Sequence, residues 1–243
     1  MKTVILNGAA TNDPLTQRIE TSLLAQLHSQ NYTTQTFTLR DHKIGNCAGD
    51  FYCWVRSPGQ CNIADDNRAI AAAIATADLL VYLTPITFGG YSATLKKAVD
   101  HQIQNIAPFF ITLNGETHHA KRYRRYADFL AIGWQPQPNP AAENIFKNLI
   151  HRNSLNFYAQ ASHCEILTGD PETATLASQI ESALAAIARR ESAPMCALPT
   201  PQLRAAHSSP PRRALLLVGS PRTRTNTFTV PPTRRQNDSH HPD

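Results

Sequence analysis

Five short apolar runs alternate with segments that carry apolar residues at helical spacing along the first 190 residues. The runs cover residues 3–6, 34–39, 77–83, 109–113 and 164–167. Short apolar runs are typical of buried parallel strands, and their alternation with helices predicts one parallel sheet with helices on both faces. We therefore predict an α/β three-layer sandwich with a five-stranded parallel sheet, and we interpret the run 129–134 as a short extra strand.

The segment 191–243 has a different composition from the rest. It holds seven Arg against three acidic residues, and nine of the 17 Pro, so it can bury little apolar surface and is predicted to be disordered. Within it, 215–219 repeats the pattern of 4–8, a short apolar run that ends in Gly. We predict a folded domain over 1–190, a Pro- and Arg-rich linker over 191–213, and the truncated start of a second repeat over 214–243.

Neither a targeting signal nor a membrane span is evident in the sequence. No N-terminal stretch combines a positive start, an apolar run and a small-residue cleavage site. The five Cys are odd in number and irregularly spaced, which favours reduced thiols over a secreted disulfide framework. The net charge of +5 is concentrated in the tail, which lacks interleaved aromatic residues. We expect a cytoplasmic protein with no membrane and no nucleic-acid partner.

Ligands of parallel sheets bind beyond the carboxyl ends of the strands, which directs attention to the loops 7–16, 84–91 and 114–119. The first loop offers hydroxyl and amide groups at the start of a helix, a position that favours an anion. It lacks the G-x-x-x-x-G-K-[ST] spacing of nucleoside triphosphate sites, so an ATPase is not expected. The alternative is an ordinary turn followed by a helix cap.

The second loop combines a Pro, two Gly and two aromatic residues at a strand end. This combination suits a flat heteroaromatic ring that is held by backbone N–H groups and stacked by aromatic side chains. The alternative is a tight structural turn whose aromatic residues, Phe88 and Tyr91, pack in the core.

Several segments of the chain together resemble the flavodoxin-like NAD(P)H-dependent FMN reductases, which include the iron–sulfur flavoproteins. The resemblance covers about residues 1–190 and is carried by Ile5–Gly8, Cys47–Trp54, Ser57–Cys61, Asp65–Asp66 and Thr84–Lys96. It implies a flavodoxin-like sheet of strand order 2-1-3-4-5, bound FMN, NAD(P)H as co-substrate and a homo-oligomer. It also implies an oxidoreductase that passes electrons from NAD(P)H through FMN to a quinone, a flavin or another small acceptor.

The resemblance further implies which residues bind the cofactor. The FMN phosphate would lie on Gly8, Thr11, Asn12 and Thr16. The isoalloxazine ring would lie on Pro85, Ile86, Thr87, Phe88, Gly89, Gly90 and Tyr91, and its far side would be lined by Asn114 and Gly115. No side chain is required as a catalytic acid or base, because the flavin carries out the redox chemistry.

The first loop departs from the family pattern at Ala9, Ala10 and Asp13. The family commonly has Gly-Ser-Pro-Arg followed by Ser/Thr-Asn-Thr in this loop, and a carboxylate would repel a phosphate. These departures support an alternative function, a non-catalytic flavodoxin-like dimerisation domain with a degenerate phosphate loop.

The cysteines also depart from the iron–sulfur flavoproteins. Cys47, Cys53 and Cys61 remain, but Asp50 stands where a further Cys would be. Three thiolates and one carboxylate make a weak [4Fe–4S] site, and a structural zinc site also requires four suitable ligands. We therefore expect free cysteines and no metal.

Overall fold

The computed structural model describes residues 1–113 and 115–190. The predicted linker over 191–213 and the predicted repeat over 214–243 lie outside these residues, as does Asn114. None of the helices within the described ranges is long and apolar enough to cross a membrane.

The described chain alternates strands and helices for most of its length. The strands are β1 (Lys2–Asn7), β2 (Thr33–Thr38), β3 (Leu79–Pro85), β4 (Ile106–Leu113), β5 (Glu116–Lys121), β6 (Asp128–Gln135) and β7 (Ser162–Thr168). The helices are α1 (Pro14–Ser29), α2 (Tyr52–Val55), α3 (Asn67–Ala75), α4 (Ala93–Asp100), α5 (Pro140–Asn156) and α6 (Thr173–Ala188).

Five strands form one parallel sheet in the order β2-β1-β3-β6-β7. This arrangement confirms the predicted five-stranded sheet and, counted along the sheet strands alone, the order 2-1-3-4-5. The register pairs Asn7 with Leu83 and Pro85 with Trp134. The loops after β1, β3 and β6 therefore leave the sheet side by side at its carboxyl edge.

The identity of the fourth sheet strand was predicted wrongly. The run 109–113 belongs to β4, which pairs with β5 in a separate antiparallel hairpin, whereas the run 129–134 lies within β6, between β3 and β7. Burial explains the difference, since Phe129 to Ile132 are completely buried while Phe109 and Phe110 are 73% and 67% exposed. The Asn-Gly pair at 114–115 is itself a common signal for a tight hairpin.

The core consists of two apolar layers, one on each face of the sheet. Alternate residues of β1 supply both layers, with Val4 and Leu6 on one face and Ile5 on the other, as the two-residue repeat of a strand requires. The first layer packs against α3, α4 and α5, and the second against α1 and α6. The predicted three-layer sandwich is thereby confirmed.

Substitution of the deeply buried Phe146 tests this packing. Phe146 is 0% exposed, whereas its neighbour Ile145 on the same helix is 55% exposed. We expect Phe146→Ala to lower the free energy of unfolding by about 3–5 kcal/mol, because it removes a buried ring and leaves a cavity. Ile145→Ala is the matched control and should change it by less than about 1 kcal/mol. Urea denaturation measures both, and equal losses would contradict the assignment of Phe146 to the core.

Candidate functional site

The first loop packs closely on the beginning of α4. The Gly8 N–H donates to the Leu83 carbonyl oxygen over 2.8 Å. A Cβ atom at Gly8 would lie 2.6 Å from Leu95 Cβ and 2.9 Å from Ser92 Oγ, closer than such atoms approach one another. Only glycine fits here, so the Gly that ends the first apolar run allows this close contact.

Ser92 joins the loops after β1 and β3. Its hydroxyl donates to the Gly8 carbonyl oxygen over 2.6 Å and accepts from the Leu95 N–H over 3.1 Å, which caps α4. Its N–H donates to Thr84 Oγ1 over 3.0 Å. The two loops predicted to bind the cofactor are therefore held next to each other.

Asp13 caps helix α1 and gathers the hydroxyl groups of the first loop. Its carboxylate accepts from the Thr16 N–H and the Thr16 hydroxyl, each over 2.9 Å, and from the Thr11 hydroxyl over 3.3 Å. Partial burial raises the pKa of this carboxyl group, but the hydrogen bonds from Thr16 and Thr11 outweigh burial and lower the pKa below its usual value. The carboxylate is therefore ionised at neutral pH.

The two hydroxyl groups that were predicted to bind a phosphate are already used as donors within the first loop. A hydroxyl group has one hydrogen to donate, and both Thr11 and Thr16 donate theirs to Asp13. Pro14, the first residue of α1, has no N–H, and the Asn12 carbonyl oxygen accepts from the Gln17 side chain over 3.1 Å. Gly8 serves the packing of the loop on α4.

The loop after β3 forms a tight turn over Thr87–Gly90, with Thr87 and Gly90 exchanging hydrogen bonds of 3.0 and 2.8 Å. Both central residues, Phe88 and Gly89, have positive φ angles of 51° and 76°, the requirement of a type I′ turn. A Cβ at Gly89 would lie 2.9 Å from Ile145 atoms. The turn therefore holds Phe88 at its tip, where the side chain is fully exposed.

Tyr91, predicted to contact the ring, lies instead in the core. Its ring packs edge-on against Tyr82 and Phe146, and its hydroxyl accepts from Asn153 Nδ2 over 2.6 Å. Burial raises the pKa of the Tyr91 hydroxyl far above its usual value. Of the two aromatic residues in this loop, only Phe88 is exposed to a ligand.

An open cleft of about 420 Å³ lies between this turn and the segment that follows β6. Its volume is in the range of small-ligand sites. Apolar side chains form one wall, while the other is a polar, Pro-rich segment. The lining residues are Ile86, Phe88, Gln135, Pro136, Gln137, Pro138, Asn139 and Ala142.

Residues 135–139, which form the second wall of this cleft, are not among the predicted site residues. They lie at and after the end of β6, the fourth strand of the sheet, whereas the prediction took Asn114 and Gly115 from the end of β4, which lies outside the sheet. A signal was present: a buried run ends at Gln135, two Pro follow, and Asn139 caps α5 through a 3.1 Å bond from the Ala142 N–H.

Gly115 lies in the turn of the β4–β5 hairpin, and no atom lies within 4 Å of where its Cβ would be. The base of this hairpin is at the amino edge of the sheet, where the Tyr126 hydroxyl donates to the Asn105 carbonyl oxygen over 2.8 Å. Glu116, next to Gly115, pairs with Arg152 near the end of α5 over 2.7 Å. Gly115 therefore lies in the turn of a hairpin outside the five-stranded sheet, and it does not line the cleft.

The cysteine loop, residues 45–63, lines a separate and much smaller cavity. Cys47, Cys53 and Cys61 line it beside His101 and Asp50, and Cys61 Sγ lies 3.7 Å from His101 Nδ1. Burial raises the pKa of the Cys53 and Cys61 thiols. Among residues 1–113 and 115–190, no group of three or more His, Cys, Asp or Glu is placed to hold a metal ion.

The contacts of Ser92 lead to a mutational prediction. We expect Ser92→Ala to lower the free energy of unfolding by about 1–2 kcal/mol, since the helix loses its cap and the Gly8 carbonyl its partner. Ser29→Ala, at the exposed end of α1, is the control and should change it by less than about 0.5 kcal/mol. Chemical denaturation of both variants tests this, and an unchanged Ser92→Ala protein would refute the role given to Ser92.

Comparison with known proteins identifies a relative in sequence. A curated iron-sulfur flavoprotein of Methanocaldococcus jannaschii is 28% identical over 100 residues, which cover 41% of this chain and 51% of that protein. The chain thus spans about half the length of this curated relative.

Two solved structures share the fold. An NAD(P)H:quinone oxidoreductase from Methanothermobacter marburgensis superposes with a TM-score of 0.58 at 13% identity, covering 76% of this chain and 96% of that one. An FMN-dependent NADH-azoreductase from Bacillus anthracis, solved in complex with FMN, has a TM-score of 0.54 at 10% identity and covers 78% and 99%. At these identities the likeness establishes the flavodoxin-like fold alone.

The family model for NADPH-dependent FMN reductases matches residues 1–124, just over half of the chain. The expected pairing of FMN with NAD(P)H as electron donor is confirmed as that of the family. The chain belongs to the NADPH-dependent FMN reductase family.

Proposed function

We propose that this chain is an FMN-dependent NAD(P)H oxidoreductase that passes electrons to a quinone, a free flavin or another small acceptor. The observation that carries the proposal is the cleft at the carboxyl edge of the sheet, between the Thr87–Gly90 turn and residues 135–139. In open α/β sheets this edge is where ligands bind. Bound flavin would accept a hydride from the nicotinamide and give electrons to the acceptor.

One wall of the cleft in particular suits a planar ring. Ile86 and Phe88 supply apolar surface, and the Ile86 N–H is used by the Trp134 carbonyl oxygen over 2.8 Å. With the Thr87 and Gly90 N–H groups also paired within the turn, contact with the ring falls mainly to side chains. Gln137 and Asn139 on the opposite wall offer amide groups to the polar edge of a flavin.

The choice of electron acceptor depends on access to the flavin ring and not on a dedicated side chain. The cleft is open to solvent, so a small molecule can approach a ring held within it. The quinone oxidoreductase and the azoreductase named above are similar in fold, which supports a small aromatic acceptor. We assign no catalytic acid or base.

A bulky side chain in the cleft tests where the flavin binds. Ala142, half-buried, lines the cleft, and Ala141, on the same turn of α5, is exposed and does not line it. We expect Ala142→Phe to weaken flavin binding at least about tenfold, equivalent to 1.4 kcal/mol, because the new ring fills the cleft. Ala141→Phe should bind flavin as the wild type does. Quenching of flavin fluorescence measures Kd, and thermal melting confirms that both variants are folded.

The same titration separates the two functions. A wild-type protein that binds flavin and oxidises NAD(P)H only in its presence supports the enzyme. A folded wild-type protein that binds no flavin would refute it and favour the non-catalytic dimerisation domain, the alternative that Asp13 supports.

We further propose that the protein forms homo-oligomers through its apolar surface on the hairpin. Phe109 and Phe110 on β4 are largely exposed, as are Phe51 and Val55 in the cysteine loop, and exposed apolar clusters commonly mark interaction sites. We expect light scattering to give a dimer or a higher oligomer for the wild type and a smaller assembly for Phe109→Asp. Ile145→Asp, at an exposed apolar position on α5, is the control. A monomeric wild type would contradict this proposal.

A further inference from the structure

The first loop already contains an anion at the place where the family would bind one. The start of α1 favours negative charge, because the free N–H groups and the helix dipole both point toward it. In this chain the Asp13 carboxylate occupies that position and accepts three hydrogen bonds, two of them from Thr16 and one from Thr11.

We propose that Asp13 takes the place of the flavin phosphate, so that this chain binds flavin through its ring and holds riboflavin at least as tightly as FMN. The inference rests on the proposed flavin-binding function and deepens it. It makes Asp13 a determinant of which flavin is bound, not a catalytic residue.

Several donors of the first loop are already engaged. The Thr11 and Thr16 hydroxyls and the Thr16 N–H all donate to Asp13, the Ala9 N–H donates to Asn7 Oδ1 over 3.0 Å, and the Gly8 N–H donates to Leu83. Pro14 has none. A phosphate could gain the Thr11 and Thr16 donors only by displacing the carboxylate, which would then lose three hydrogen bonds at once.

The charges of the first loop also disfavour a phosphate there. Residues 7–16 contain no Lys, Arg or His, so the loop brings no cation to balance a phosphate beside Asp13. Arg18, one turn further along α1, pairs with Asp170 and with the Pro171 carbonyl oxygen. The lowered pKa of Asp13 keeps its negative charge at neutral pH, and two like charges within a few ångströms repel each other.

The basic groups near this loop face another hollow. Arg40, His42 and Lys97 line an open space of about 250 Å³ that reaches Ala10 on the β2 side. His42 Nδ1 lies 3.3 Å from Asp66 Oδ2, and Arg40 Nε lies 3.8 Å from Asp41 Oδ1. A phosphate drawn to this hollow would occupy a different site.

The test compares FMN with riboflavin in the full chain, by quenching of flavin fluorescence. The two ligands differ only in the phosphate, so the ratio of their Kd values isolates its contribution. For the wild type we expect a Kd for FMN equal to or larger than that for riboflavin.

Two variants of Asp13 separate the effect of its negative charge from the effect of its hydrogen bonds to Thr11 and Thr16. Asp13→Asn keeps a residue that caps helices well and removes the charge, and we expect it to tighten FMN binding about threefold with riboflavin unchanged. Asp13→Gly also frees Thr11 and Thr16, and we expect a gain for FMN of about tenfold. Asp100→Asn, which removes the same charge at the far end of α4, should leave the ratio as in the wild type.

The failures of the two proposals are distinguishable. A wild type that binds FMN more than tenfold tighter than riboflavin would overturn the role of Asp13 and leave the flavin-binding function intact. If that preference disappears in Lys97→Met, the phosphate lies in the basic hollow, which equally overturns it. A folded wild-type protein that binds neither flavin overturns the proposed function itself.

Discussion

The hydrogen bonds of Ser92 connect the parts of the molecule on which the site depends. Its hydroxyl links the Gly8 carbonyl oxygen to the capped end of α4, and its N–H binds Thr84 at the end of β3. The contact is possible because Gly8 has no side chain to strike Leu95. Because the central strands are rigidly buried, fixing these loop starts also fixes the turn that carries Phe88.

The two places predicted for a flavin, one for its ring and one for its phosphate, have different environments. The cleft beside Ile86 and Phe88 is open and of the right size for a planar ring. The start of α1, in contrast, is already neutralised by the Asp13 carboxylate. We propose that this member of the FMN reductase family keeps the place for the redox ring while its own side chain satisfies the anion position, so that affinity depends on the ring.

Much of the fold could be predicted from the sequence, because short apolar runs and helical spacing report burial directly. The same signal failed for the fourth strand, since β4 and β6 are both apolar runs and only tertiary packing decides which one enters the sheet. Because of that error the prediction used the loop after β4, with Asn114 and Gly115, and left out residues 135–139, which line the cleft at the end of β6. The sequence showed the charge of Asp13, but not that its carboxylate turns back onto Thr11 and Thr16. Nor could it show that Tyr91 packs on Tyr82 while Phe88 is exposed.

Hydrogen exchange measured by mass spectrometry, with and without saturating flavin, tests the location of the site most directly. If the flavin ring lies in the cleft, protection should increase in peptides that cover residues 84–91 and 133–143, and the hairpin over 106–121 should exchange as before. Protection confined to the hairpin or to the cysteine loop over 45–63 would contradict the account.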